Sequence, residues 1–332
     1  MVLVIAEAGV NHNGDQAMAR DLIDAAVESG ADIVKFQTFN ASSLATNRVE
    51  QAEYQKSALD NSENQKEMLK KLEIDEDFHH NMIDYCNSRN IEFLSTAFDS
   101  PSIDLLSSLN IRRWKIPSGE ITNTPYLREI ARQRGEIILS TGMANLGEIE
   151  FALNTLYNSG ADKNKITVLH CTSSYPAPIN EINLKSLLTI KEAFKIKVGY
   201  SDHTEGIVAP ICAVTLGAQI IEKHLTLNKN LPGPDHKASL EPLEFKDMVN
   251  AIRQAENAMG DGIKKPSPSE ITTINVVRKS IVASRPISKG EIFSDNNLVT
   301  KRSGDGISAA MWDDWIGKYA TRDFKEDECI TG

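Results

Sequence analysis

The sequence predicts a parallel (β/α)8 barrel of the TIM type followed by a small, mostly β C-terminal module. Three observations predict it. Eight short β-like runs each precede a stretch of helical periodicity, the runs end on polar side chains, and the composition changes near residue 260. The runs are residues 2–6, 33–37, 92–96, 113–116, 136–140, 166–170, 197–201 and 218–224. Amphipathic stretches between and after them include 16–29, 148–158, 183–194 and 242–259. The last sets Phe245, Met248, Val249 and Ile252 on one helical face. No fixed-period repeat is present, which argues against a solenoid.

The second and third runs are separated by a polar insert, residues 40–75, rich in Glu, Gln, Lys and Asn. A loop of that length predicts a cover over one end of the barrel or a subunit contact. After the eighth unit, GDGIKKPSPSE reads as a connector. The chain therefore divides into a barrel at 1–260, a linker at 261–275 and a module at 276–332. The module carries the β signals SIVASRPISKGEIF and LVTKRSGDGIS. It is small for a self-sufficient core, and so predicts packing against its own barrel or a partner's.

With 332 residues, 41% hydrophobic and 25% charged, the composition is that of a globular protein. No run approaches the roughly 18 apolar residues of a membrane span. The opening MVLVIAEAGVNHNG lacks the basic start and long apolar stretch of a signal peptide. Four scattered cysteines, with no CxxC pair, argue against a metal cluster or disulfide framework and fit a reducing cytoplasm. A net charge of −10 excludes nucleic acid and anionic membranes as natural partners. It repels anionic substrates too, so a phosphate site must bring its own cations.

In a parallel barrel the active site lies at the C-terminal strand ends. Those ends present Glu7, Lys35 with Gln37, Thr96, Lys115, Ser140, His170, Asp202 with His203, and His224. His203 and His224 close neighbouring runs and, as neutral imidazoles, can hold a divalent ion or hydrogen-bond within a polar core. Lys35 and Lys115, flanked by apolar residues, can bind an anion, form a Schiff base or snorkel to solvent. Ser118, Gly119 and the Ser140–Thr141–Gly142 turn add donors for an anion. Glu7, Glu120 and Asp202 are the acid–base candidates, with Asp202 favoured as a support to a histidine or the backbone.

With these residues in place, the chain resembles the sialic acid synthase family. The resemblance rests on AEAGVNHNGD, VKFQTF, STAFD, WKIPSGEITNTPYL, STGMA, LHCTSSYPAP, GYSDHT, EKHLT and PGPDHKASLEP, in family order along the whole chain. VVRKSIVA, KGEIFSDNNL and TKRSGDGIS resemble the antifreeze-like (SAF) domain that ends these synthases. The resemblance implies a metal-dependent enzyme, using Mn or Mg, that joins phosphoenolpyruvate to an open-chain N-acylated amino-hexose. Carried over by position, His203 and His224 become metal ligands. Lys35, Lys115, Ser118 and Ser140 become phosphoenolpyruvate contacts, with Thr96 lining the same pocket. Glu7, Gln37, Glu120, Tyr175 and Asp235 fall on motifs that handle the sugar, the metal or proton transfers. Arg302 matches an arginine that reaches a partner subunit's site, which implies a domain-exchanged homodimer. Ser303 stands where the family commonly has proline, and Ser173 and Ser174 where relatives differ. STGMANLGEIE and AMGDGIKK look closest to synthases acting on 2,4-diacetamido-2,4,6-trideoxymannose to make legionaminate, with N-acetylmannosamine as the competing acceptor.

Three rival readings remain at this point. One is a Schiff-base aldolase working through Lys35 or Lys115, another a phosphoenolpyruvate–aldose enzyme making a shorter acid. The third is a non-catalytic sugar or metal binder.

Overall fold

The computed structural model describes residues 1–44, 46 and 65–331. Eight parallel strands close into a barrel in sequential order, β1-β2-β3-β4-β5-β6-β7-β8. They are β1 Leu3–Gly9, β2 Ile33–Thr38, β3 Glu92–Ala97, β4 Arg113–Ile116, β5 Glu136–Ser140, β6 Ile166–Cys171, β7 Lys197–Asp202 and β8 Ile220–His224. The periodicity of two divides each strand between two environments. Ile5, Ile33, Leu94, Ile138, Leu169 and Ile220 point inward and plug the barrel's lower half. The alternate residues, Val4, Ala6, Val34, Phe36, Trp114 and Val198 among them, pack outward beneath the helices in the main core. Strands buried on both faces read as continuous apolar runs, so each charge within them is conspicuous.

Short polar caps start the helices. Asp15 caps Gln16–Glu28, Asp75 caps Glu76–Arg89 and Asp99 caps Ser100–Ser108, each accepting a backbone N–H. Asn145 and Glu148 form a reciprocal capping box on Leu146–Asn158. Phe245, Met248, Val249 and Ile252 are the buried face of Pro242–Met259.

Of the polar insert, residues 45 and 47–64 lie outside the described residues. Its flanks form the helices Ala41–Leu44 and Gln65–Leu72. Met68 and Leu72 pack with Val10 and Phe39, just beyond the C-terminal ends of β1 and β2. This end of the insert therefore covers the barrel's mouth.

Contacts divide the chain into two units, Met1–Gly260 and Asp261–Gly332. In the second, β9 Lys279–Ala283 pairs antiparallel with β10 Leu298–Arg302 over a core of Ile281, Ala283, Ile287, Phe293, Leu298, Ala320, Phe324 and Ile330. The expected linker is not all extended chain, because Pro268–Val277 is helical. Ser267 and Glu270 satisfy each other's backbone N–H groups in a capping box, and Pro268 opens the helix. That signal is present in the sequence, but the Gly, Pro and Ser content outweighed it.

Candidate active site

Four buried charges meet on the inner face at the C-terminal end of the barrel. Lys35 Nζ lies 2.6 Å from Glu7 Oε2 and 3.7 Å from Glu222 Oε2, and donates to Thr96 Oγ1 at 2.9 Å. Lys115 Nζ sits 3.2 Å from Glu222 Oε1, which also accepts from Ser201 Oγ at 2.9 Å. Strand register makes these meetings: Glu7 lies opposite Lys35, Gln37 opposite Thr96, Thr96 opposite Lys115 and Ser201 opposite Glu222.

Burial alone would raise the Glu222 carboxyl, but the charges of Lys115 and Lys35 outweigh it and hold the group down at about 2. For Glu7 burial prevails over Lys35 and the carboxyl is raised. Burial likewise prevails for Lys115, which is lowered, whereas Glu222 and Glu7 outweigh it for Lys35, which is raised. The two lysines expected from the sequence lie together, and each is faced by a carboxylate that the sequence reading did not pair with it.

His203 and His224 stand side by side above this array, ring centroids 5.6 Å apart. Tyr175 stacks on His203 at 4.1 Å and meets His224 edge-on at 5.8 Å. His203 Nδ1 donates to Thr172 O at 2.7 Å, which leaves Nε2 for a ligand. Buried His224 Nδ1 makes no hydrogen bond within the protein, and lies 3.9 Å from Asp235 Oδ2. Burial, then the charge of His203, holds His224 well below the ordinary imidazole range, in the neutral form a metal requires. Among the described residues, no three His, Cys, Asp or Glu side chains gather closely enough to cage an ion. What the residues present offer an ion is the two imidazoles, with His203 Nε2 and His224 Nδ1 free of hydrogen bonds to the protein.

Two glycines shape the cavity. A Cβ at Gly9, whose φ is +54°, would lie 3.2 Å from Glu7 Oε1, 3.3 Å from Gln37 Nε2 and 3.6 Å from Asp235 Oδ2. Gln37 Nε2 donates to Glu7 Oε1 at 3.0 Å. Asp235 is pushed up to about 7 by burial and then by the Glu7 charge. At Gly142 a Cβ would come within 2.1 Å of Ser173 Oγ and 2.8 Å of Ser118 Oγ. The Gly142 N–H donates to Ser118 Oγ at 2.9 Å, and nearby Ser140 Oγ is buried with no partner within the protein. Glu120 is half-buried on the turn after β4, its carboxyl raised by burial, and accepts from Asn123 Nδ2 at 2.5 Å. Arg302 is exposed on β10 in the second unit.

Two strand-end residues face the other way. His170 points outward, donating from Nε2 to Ile182 O at 2.6 Å. Cys171 is the inward residue of β6, 3.7 Å from His203 Nδ1. Asp202 also faces the helices, where it pairs with Lys223 and accepts from Thr204 N at 3.0 Å. Its contacts are with the Lys223 ammonium and with the N–H and hydroxyl of Thr204, not with a reacting group. Sequence reasoning passed over Glu222, although it stands two residues before His224 and so shares its face. His12, His79 and His236 are buried outside the charged array. His79 is held by Thr38 and Asp75, and His236 by Thr226.

The NeuB family profile matches residues 22–264, and the SAF domain profile residues 278–332. The chain is 57% identical to the N,N'-diacetyllegionaminic acid synthase of Campylobacter jejuni, over 99% of this chain and 98% of that one. It is 49% identical to the Legionella pneumophila protein of the same name, over 95% and 89%. Among solved structures, N-acetylneuraminic acid (sialic acid) synthetase from Leptospira borgpetersenii superposes with a TM-score of 0.72 at 32% identity, covering 83% of this chain and 92% of that one.

Proposed function

Since the chain belongs to the NeuB family and ends in a SAF domain, we propose that it condenses phosphoenolpyruvate with an open-chain N-acylated amino-hexose to give a nine-carbon nonulosonic acid. The observation that carries this reading is the convergence of Lys35, Lys115 and unpartnered Ser140 Oγ with the His203–His224 pair on one inner face. The near-full-length identity to two N,N'-diacetyllegionaminic acid synthases favours 2,4-diacetamido-2,4,6-trideoxymannose as the acceptor over N-acetylmannosamine.

In this reading carbon 3 of phosphoenolpyruvate attacks the aldehyde carbon, water adds at carbon 2, and phosphate leaves with cleavage of its C–O bond. Lys35 and Lys115 exchange part of their pairing with Glu7 and Glu222 for the substrate's phosphate and carboxylate. Thr96, Ser118 and Ser140 supply hydroxyl donors to the same anion. His203 and His224 would hold a divalent ion, Mn or Mg, which would supply Lewis-acid polarisation of the acceptor aldehyde. Asp235, pushed up to about 7, is poised to hold and release a proton near neutrality, and Glu7, raised by burial, is the second acid–base candidate. Gln37 orients Glu7, and Glu120 and Tyr175 line the acceptor's approach. Asp202 acts through the protein frame. Arg302 reaches the N-acyl group in a partner's site, as part of a domain-exchanged homodimer.

The test is phosphate release from phosphoenolpyruvate with Mn, offering each sugar with and without chelator. Chelator-sensitive release with the diacetamido sugar ahead is the expected result, and no release with either sugar overturns the reading. The lowered pKa of Lys115 also suits a Schiff-base lysine. Borohydride trapping of an adduct on Lys115 would replace the condensation with an aldolase mechanism.

A further inference from the structure

The two histidines of the inner face are each the immediate chain neighbour of one member of a second ion pair on the outer face. Asp202 precedes His203 and Lys223 precedes His224. Asp202 and Lys223 are register partners across β7 and β8. Their side chains meet at 2.5 Å, and neither is exposed to solvent at all. The pair is closed by Thr204, on the far side of His203. Thr204 N donates to Asp202 Oδ1 at 3.0 Å, Thr204 Oγ1 donates to Asp202 Oδ2 at 3.1 Å, and Lys223 Nζ donates to Thr204 O. His203 is thereby bracketed by two residues tied to one ammonium group, and that ammonium belongs to the residue before His224.

A strand end normally frays into its loop, where the separation of two side chains drifts. A buried ion pair is a poor source of net stability, because desolvation offsets its attraction. Two apolar residues of similar size would fill this space at less cost. What the pair adds is a fixed distance, since an unpaired charge under the helices is so unfavourable that the two strand ends cannot slide apart. We infer that Asp202, Lys223 and Thr204 are positioning residues, an outer-face strut that sets the spacing of His203 and His224 and so the affinity and geometry of the metal they hold. The inference rests on the assignment of those histidines as metal ligands.

The experiment measures metal, not turnover. Mn(II) affinity by electron paramagnetic resonance and the visible spectrum of the Co(II)-loaded protein are compared for the wild type, His203→Ala and the paired variant Asp202→Asn with Lys223→Met. The paired variant removes both charges together, so it leaves neither stranded. Thermal melting of the metal-free proteins reports the fold. The expected result is a paired variant that melts cooperatively, binds Mn(II) about 10-fold or more weakly and shows an altered Co(II) spectrum, a loss typical of removing support behind metal ligands. Wild-type affinity with an unchanged spectrum overturns the strut while leaving the metal site in place. Equal, weak binding by wild type and His203→Ala overturns the metal assignment, and the strut with it. If the paired variant does not fold, Lys223→Arg and Thr204→Val decide: weakened Mn(II) binding in a folded protein supports the strut, and unchanged binding in both overturns it.

Discussion

The inner and outer faces of the barrel at its C-terminal end hold the same chemistry in opposite states. Inside, the surroundings of the Lys35, Lys115, Glu7 and Glu222 array leave polar atoms unused: Ser140 Oγ and His224 Nδ1 make no hydrogen bond within the protein, and Glu222 Oε2 has the Lys35 ammonium only at 3.7 Å. Outside, Asp202 and Lys223 are saturated, both Asp202 oxygens accepting and the ammonium shared with a carbonyl. Buried polar atoms are ordinarily satisfied because leaving them bare costs about 1–3 kcal/mol each. A cluster that tolerates bare atoms is therefore built for something that arrives later. A saturated one is built to stay as it is.

The strongest test of the contrast is His203→Ala. Loss of a ligand on the unsaturated face should cut phosphate release by about 10³-fold or more, as expected when several kcal/mol of Lewis-acid stabilisation disappear. Near-wild-type turnover with unchanged metal content would remove the role given to this histidine. Next, Asp202→Asn and Glu222→Gln should separate by kind of damage. The outer substitution strands a buried lysine and is expected to cost about 3–5 kcal/mol in denaturant unfolding. The inner one takes Glu222 away from buried Lys115, so it should cost stability as well, but unlike the outer one it should also cut activity directly. Equal activity losses would dissolve the distinction.

His12 tests the rule from another side. It is fully buried against Phe36 and Phe78, and its Nε2 has no partner although it lies outside the charged array. Burial, then the charge of His79, lowers it to about 4 from an ordinary 6.5. The folded state thus favours the neutral ring, and protonation favours unfolding. Its contribution is complete above pH 6.5 and should fall away by about 3 kcal/mol as the pH drops through 6.5 to 4. His12→Gln should flatten that part of the stability–pH curve, and an unchanged slope would show that the unpartnered atom is not a titration liability.

The smallest expected effect is that of Gly142→Ala. The new Cβ must displace Ser173 and Ser118 from contacts of 2.1 and 2.8 Å, at a stability cost of about 1–3 kcal/mol. The KM for phosphoenolpyruvate should rise more than that for the sugar, as steady-state kinetics would reveal.

What was legible in the sequence follows from where its signal resides. The barrel strands buried on both faces announce themselves as apolar runs. Expected boundaries and observed ones coincide at 113–116 and 136–140, with ends elsewhere shifted by a residue or more. Orientation was harder at the strand ends. His170 and Asp202 are one residue out of phase with the inner face, and phase is legible only by counting from an inward residue such as Leu169 or Glu222. The partners of the two lysines were hidden for a different reason. Glu7 and Glu222 come from β1 and β8, and only closure of the barrel brings both to Lys35. The helix within the connector was written locally, in the spacing of Ser267 and Glu270, and composition masked it.

That connector helix has a mechanical consequence. Its ten residues bury no side chain, and Ile271, Val276 and Val277 are all exposed. A helix this short, without packing, is held only by its cap and its own hydrogen bonds. Wound, it carries the chain ~15 Å; drawn out, the same residues span ~33 Å. Each turn released adds ~6 Å of length while uncovering no buried side chain of the helix.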